Sequence, residues 1–261
     1  MVHFVGAGPG AEDLITVRGA RLLEAADVII YAGSLVNPAL LHYAKDTCAI
    51  YNSAAMTLEE VLAVMEQAHS QGKNTVRLHT GEPSLYGAVR EQMAALAQKG
   101  IPYDSCPGVS ACFGAAAAMN LEYTLPQVAQ SLIITRMEGR TEVPETEQIE
   151  RMAAHRTSMA IYLSAGMLKK LQERLIAGGY PEDTPAAIVY KATWPEEKVC
   201  RCVLSRLAQV GAENGIRSTA VVLVGQAIAA DLAVGADYER SQLYDPAFET
   251  GYRKKKERKD D

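Results

Sequence analysis

Three glycine-bearing segments carry the residue types best suited to hold a ligand by its backbone. The first, Gly6-Ala7-Gly8-Pro9-Gly10-Ala11, follows the apolar run 2–5 and fits the pattern G-x-G-x-x-G/A. After a strand, that pattern can open a dinucleotide site. Two details argue against a nicotinamide or flavin enzyme. Pro9 stands in the turn, where a pyrophosphate needs backbone N–H donors, and proline has none. The next apolar run, 27–31, ends at Tyr31-Ala32 without the acid that would bind a ribose. The second segment is His79-Thr80-Gly81-Glu82-Pro83-Ser84-Leu85-Tyr86-Gly87, and the third is Pro107-Gly108-Val109-Ser110-Ala111. Glycine admits close backbone approach, and proline fixes a turn.

Other side chains offer recognition chemistry. Arg136 and Arg140 lie in a charged loop over 136–145 and could bind carboxylates bidentately, or pair on the surface with Glu138, Glu142 and Glu145. His79 is either a substrate contact or a packed histidine. Ser34 and Asn37 follow the second strand and suit a ligand trough or an ordinary turn equally well. Tyr190, Lys191 and Trp194 could stack on a flat ligand or simply pack. The five cysteines, Cys48, Cys106, Cys112, Cys200 and Cys202, include no C-x-x-C pair. They are expected to be reduced and to pack, with no metal site.

These residues need elements to position them. The apolar runs 2–5 and 27–31 and the segments 49–51, 75–79 and 103–106 read as strands. Helices are expected from Thr16 to 24, from Thr57 to about 71, over 85–98 and over 110–119. Such alternation predicts a parallel sheet with helices on both faces. A linker is expected over 120–130. The pattern then restarts with a strand at 132–135, a helix at 146–154, a strand at 158–163, a helix at 167–177 and strands at 186–190, 198–203 and 219–224. The alternating polar and apolar residues of 198–203 point to an antiparallel strand. The expected fold class is therefore α/β, with a first domain over 1–119 holding a mostly parallel sheet. A second domain over 131–240 holds a mixed sheet, and a tail follows over 241–261.

Nearly half of the 261 residues are hydrophobic, enough for two cores, and the net charge is −5. That balance argues against nucleic acid as a partner. The basic run 253–259 is expected to be a solvated end. No signal-peptide pattern precedes the first strand, and no apolar run approaches a membrane span. The expectation is a cytoplasmic protein without a membrane partner.

Taken together, the loops resemble the tetrapyrrole (uroporphyrinogen/corrin/siroheme) methyltransferases. The resemblance rests on VGAGPG-x-x-DLIT, the G-E/D-P-x-x-Y-G loop, PGVSA and the late AVVLVG strand. The segments YAGSLVNPALL (31–41), TRMEGRTEVPE (135–145), VYKATWPEEKV (189–199) and SQLYDPAFETGYRK (241–254) are similar to the branch acting at C11 of precorrin-4 or its cobalt form. The match covers roughly residues 2–254.

The resemblance implies two α/β domains with S-adenosylmethionine in the cleft between them, S-adenosylhomocysteine as product, and a homodimer. It implies a tetrapyrrole substrate, with or without cobalt, and transfer of the methyl group to a ring carbon by alignment, with no assigned base. Carried over by position, the cofactor contacts would be Pro9, Thr80, Gly81, Glu82, Leu85, Ser110, Ala111, Leu163 and Ala192. Substrate contacts would fall on Ser34, His79, Arg136 and Arg140. Two positions depart from the family pattern. Glu82 stands where Asp is usual. Ala32 stands where the uroporphyrinogen branch has Asp, which argues against that branch. The alternatives are methylation at another ring carbon, a nicotinamide-dependent oxidoreductase, or a non-catalytic interaction protein.

Overall fold

The structure is a computed structural model that describes residues 1–33, 35–229 and 241–254. Ser34 and most of the basic end run lie outside the described residues. The chain forms two compact units. The first is Met1–Ala118 with Lys191–Lys198, and the second is Met119–Tyr190 with the chain from Val199 onward.

The first unit is built on five parallel strands, β1 (Val2–Gly6), β2 (Val28–Tyr31), β3 (Ala49–Asn52), β4 (Thr75–His79) and β5 (Tyr103–Cys106), in the order β3-β2-β4-β1-β5. Alternate residues serve opposite faces, as a pleated strand requires. On one face, Val5, Ile29 and Leu78 pack with Leu23 of α1 (Val17–Ala25). On the other, Phe4, Ile30 and Val28 pack with Val61 and Met65 of α2 (Leu58–Ser70) and with Leu96 of α3 (Arg90–Gln98). Helix α2 opens with a capping box, in which the Thr57 hydroxyl accepts from Glu60 N–H and the Glu60 carboxylate accepts from Thr57 N–H. Helix α4 (Ala111–Met119) follows β5.

Strand β4 is buried along its whole length although it contains Arg77. Arg77 Nε donates to Gln92 Oε1 at 3.2 Å and Nη1 to the Ile30 carbonyl at 3.2 Å. Gln92 Nε2 in turn donates to the Ala88 carbonyl at 2.9 Å. Burial lowers the Arg77 pKa to about 10, so the guanidinium remains charged at neutral pH. It ties β4 to β2 and to the turn that opens α3.

The helix expected from residue 85 begins instead at Arg90. Tyr86 (φ 57°) and Ala88 (φ 48°) are left-handed, which an α-helix cannot contain. The second glycine segment is thus extended by a turn. In the second unit, the expected helix 146–154 is a 3₁₀ turn, Glu145–Glu147, and a short α5 (Ile149–Ala153), separated by extended backbone at Gln148. The helix α7 (Leu207–Glu213) was absent from the sequence expectation.

The second sheet runs β6 (Leu132–Arg136), β7 (Ser158–Tyr162), β10 (Ala220–Val224), β8 (Pro185–Tyr190), β9 (Lys198–Val203). Strands β6 and β7 are parallel, and β10 is antiparallel to both of its neighbours. Its core gathers Ile149, Ile161, Ile188 and Val222 with Leu171 and Leu175 of α6 (Leu168–Ala177) and Leu207 of α7. Cys200 and Cys202 pack against this core. Residues 120–130 are fastened to it. Tyr123 is buried, and its carbonyl accepts from the Ser158 hydroxyl at 2.7 Å. Among the described residues, none of the five cysteines forms a disulfide, no group of three or more acid, His or Cys side chains could hold a metal, and no helix is long and apolar enough to cross a membrane.

His79 closes β4 at 4% exposure, stacked on Phe4 with centroids 6.0 Å apart. Burial first, and the charge of Arg77 second, lower its pKa from 6.5 to about 3. The unfolded chain binds a proton at this residue near pH 6.5, and the native chain does not until about pH 3. Stability contributed by the neutral form is therefore complete above about pH 6.5 and is lost as pH falls through that window, by up to ~1.4 kcal/mol per pH unit. Urea titrations between pH 7 and 4.5 should show this slope in the wild type and a shallower one in His79→Phe. Parallel pH profiles would refute the assignment.

Candidate functional site

The order β4-β1-β5 sets three adjacent strands side by side, so their carboxyl ends release the three glycine loops together. The loops then meet through backbone. A methyl group at Gly108 would lie 2.2 Å from the Gly81 carbonyl oxygen and 2.7 Å from Gly6 Cα. One at Gly6 would lie 2.6 Å from both Gly108 Cα and the Gly81 oxygen. No side chain fits among these three residues. Gly8 and Gly81 form an antiparallel bridge, with Gly81 N–H donating to the Gly8 carbonyl at 2.9 Å.

Glu82 fastens the second and third loops. Its Oε2 accepts from Gly108 N–H at 2.8 Å and its Oε1 from Ser84 N–H at 3.0 Å. The longer side chain at this position is committed to backbone amides of the site's own frame. Beside it, Leu85 N–H donates to the Glu82 carbonyl at 3.1 Å. Gly81 (φ 59°) lies against the third loop, and a Cβ built on it would meet Ser110 and Ala111 at 3.7 Å. Ser110 is buried, and its carbonyl begins the hydrogen bonding of α4. The Thr80 hydroxyl and His79 Nε2 are buried without a hydrogen-bond partner among the described residues. A buried orphan hydroxyl is costly, and at the loop junction it offers hydrogen bonding to a polar ligand atom.

The first loop is closed by a segment the sequence does not place there. Ala11 N–H donates to Thr193 Oγ1 at 2.9 Å, and Trp194 Nε1 donates to the Pro9 carbonyl at 3.2 Å. Asn37 Nδ2 donates to the Gly10 carbonyl at 2.9 Å. Pro9 is buried, and a methyl on Gly114 of α4 would lie 2.7 Å from its Cβ. Ala192 is also buried, with its carbonyl against Gly10. Eight of the nine expected cofactor residues therefore belong to the first unit.

This geometry also decides against the dinucleotide reading. The N–H groups of Ala7, Gly8 and Ala11 are spent on His79, Gly81 and Thr193, and Pro9 has none. Helix α1 does not open in the loop. It starts at Val17 after a 3₁₀ turn, Glu12–Leu14, and is capped by Thr16. With three of its amides committed and no α-helix opening in it, the loop lacks the amide cradle and helix N-terminus that a pyrophosphate uses.

The remaining expected residues lie on the second unit. Leu163 follows β7, is 62% exposed, and is left-handed at φ 54°. The Arg136 guanidinium is turned onto its own loop, where Nη1 donates to the Thr141 carbonyl at 3.2 Å and Nη2 to the Glu142 carbonyl at 2.5 Å. It organises the charged loop. Arg140 is exposed and has no hydrogen bond or ion pair to any described residue.

Two α/β units, one carrying three fused glycine loops on a parallel sheet, match a known class. Residues 1–208 fit the family described as Tetrapyrrole (Corrin/Porphyrin) Methylases, and the chain belongs to it. A cobalt-precorrin-4 C(11)-methyltransferase of Methanocaldococcus jannaschii is 49% identical over 253 residues, 97% of this chain and 96% of that protein. Among solved structures, a cobalt-precorrin-4 methyltransferase aligns with a TM-score of 0.86 at 44% identity, over 87% of this chain and 95% of that one. The fold is also shared with a uroporphyrin-III C-methyltransferase from Thermus thermophilus in complex with S-adenosylhomocysteine, at a TM-score of 0.74 and 24% identity over 87% of this chain and 92% of that one.

Two substitutions test the frame. Gly108→Ala forces a methyl onto backbone that cannot yield, and should cost about 3 kcal/mol, lowering the thermal midpoint by roughly 6–12 °C. Gly72→Ala, left-handed but in open space, should cost only about 1–2 kcal/mol. Equal melting of the two variants would contradict the three-glycine contact. Glu82→Ala should cost about 1–2 kcal/mol by stranding Gly108 N–H, and Glu82→Gln, which keeps an acceptor, should recover part of it in the same melts.

Proposed function

We propose that this chain is an S-adenosylmethionine-dependent methyltransferase that methylates precorrin-4 or its cobalt form at C11, in the route to cobalamin. The observation that carries the proposal furthest is the junction of the Gly6, Gly81 and Gly108 loops, with the buried Thr80 hydroxyl left unpartnered beside it. A platform of backbone with one orphan hydroxyl suits a neutral nucleoside and an amino-acid group better than a pyrophosphate. The names of the near full-length relatives support the substrate.

When bound, the donor supplies an electrophilic methyl group on a sulfonium sulfur. The chain's own part is placement. The fused loops, through Pro9, Thr80, Gly81, Leu85, Ser110, Ala111 and Ala192, hold the donor in one pose, and Glu82 keeps the second and third loops in register. Holding donor and ring carbon in line is proximity catalysis, which can supply a large part of a methyl-transfer barrier. No side chain is assigned as a base; His79, neutral and buried, is a poor one at neutral pH. The family resemblance supports a homodimer.

Calorimetry with S-adenosylhomocysteine, and NADH as control, is the first test. The expected result is micromolar binding, about −8 kcal/mol, for the former and none for the latter. Incubation with cobalt-precorrin-4 and with precorrin-4 should then give a product heavier by one methyl group and substituted at C11. Binding of NADH alone would overturn the methyltransferase reading, and methylation elsewhere on the ring would overturn the assignment to C11.

A further inference from the structure

The turn over Lys191–Lys198 joins β8 to β9, two strands of the second unit, yet it packs as part of the first. Its contacts converge on the first glycine loop. Trp194 is the chain's single tryptophan. A methyl group on Gly10 would sit 2.0 Å from its Cδ1, so the indole lies directly on the loop backbone. Its Nε1 holds the Pro9 carbonyl, and Thr193 Oγ1 holds Ala11 N–H. The turn is itself braced. Glu197 Oε2 accepts from Thr193 N–H at 2.6 Å, Lys191 Nζ stands 5.1 Å from the indole centroid, and Lys191 pairs with Glu196 at 3.4 Å. Lys191 (φ 46°) and Thr193 (φ 69°) are both left-handed, a conformation that costs about 1–2 kcal/mol each and persists only where surrounding contacts impose it.

We infer that Thr193 and Trp194 are positioning residues for the methyl donor: they fix the shape of the 6–11 loop before the ligand arrives. The inference rests on the cofactor reading above and deepens it. The loop's own residues, Gly-Ala-Gly-Pro-Gly, have no side chains able to hold it in one conformation. Backbone bonds to His79 and Gly81 hold Ala7 and Gly8, and the order of Pro9, Gly10 and Ala11 is supplied from outside by one indole N–H, the Asn37 amide and one hydroxyl. Without them the ordering cost falls on binding, which weakens affinity while leaving the transfer step untouched.

The single indole makes the test direct. S-adenosylhomocysteine is titrated into the full chain by calorimetry and by tryptophan emission, in the wild type and in Thr193→Val and Thr193→Ser. Calorimetry alone is run on Trp194→Phe. The expected result is a change in indole emission with the calorimetric midpoint. Trp194→Phe and Thr193→Val should raise the dissociation constant and the KM for the donor about five- to tenfold, with kcat within twofold. Thr193→Ser, which keeps the hydroxyl, should restore wild-type affinity. Thr193→Val preserves side-chain shape, so it remains informative should Trp194→Phe fold poorly. Wild-type binding with silent emission and an unchanged dissociation constant in the variants would overturn the inference and leave the methyltransferase reading intact. Absence of wild-type binding would overturn both.

Discussion

Everything at the candidate site depends on three backbones meeting where no side chain can stand. Gly6, Gly81 and Gly108 come from the ends of three neighbouring parallel strands, and a methyl group on Gly6 or Gly108 would lie 2.6 Å or 2.2 Å from the Gly81 carbonyl oxygen. This is a steric constraint before it is a chemical one. Adjacent strands lie about 4.8 Å apart, and their exit loops ordinarily splay to make room for Cβ atoms. Removing the Cβ from Gly6 and Gly108, and letting Gly81 turn left-handed, lets the loops fuse into one surface whose hydrogen bonds are largely satisfied internally. Such a surface recognises shape and a few polar atoms, in contrast to the open amide cradle of a phosphate site.

Two polar devices hold that surface in register, and both are unusual in their surroundings. Arg77 is a charge in the middle of a fully buried strand, paired with no carboxylate among the described residues and shared between a backbone carbonyl and Gln92. A hydrogen-bonded guanidinium can persist there because its charge is delocalised and weakly hydrated. It links the sheet to the left-handed turn at Tyr86 and Ala88, and so fixes where the second loop ends. Glu82 does the complementary work across the loops, joining the second to the third. The acid that stands one methylene longer than the family's usual residue is thus explained by what it reaches.

Much of this was legible in the sequence. The expected strands fall within a residue or so of those found in both sheets, and the aliphatic runs of β1, β2, β8 and β10 are buried as such runs should be. The glycine loops announced themselves by composition, and Pro9 with Ala32 argued against a nicotinamide site in advance. What could not be read were features set by distance along the chain. The start of α3 was missed because left-handed Tyr86 and Ala88 follow from Gln92 and Arg77, which no local propensity encodes. Helix α7 is short and was passed over between two clear strands. Arg136 reads in the sequence as a ligand for carboxylates or a surface partner of its acidic neighbours; the bonds of its guanidinium to the carbonyls of its own loop depend on a turn that local propensity does not encode. Trp194 was ambiguous between stacking and packing because its partner lies 185 residues earlier.

That separation has a consequence for how the protein is made. Synthesis proceeds from the N-terminus, and domains generally fold as they emerge. All five strands of the first sheet are complete by residue 106, yet Thr193 and Trp194 appear only after most of the second unit has been translated. The first unit therefore emerges with its glycine loop unfastened, and its last contacts, 182 and 185 residues apart in sequence, carry a high loop-closure cost. Finishing the ligand platform is a late event in biogenesis, and a chain broken off before residue 191 would possess the sheet and the three loops without the piece that makes them ready.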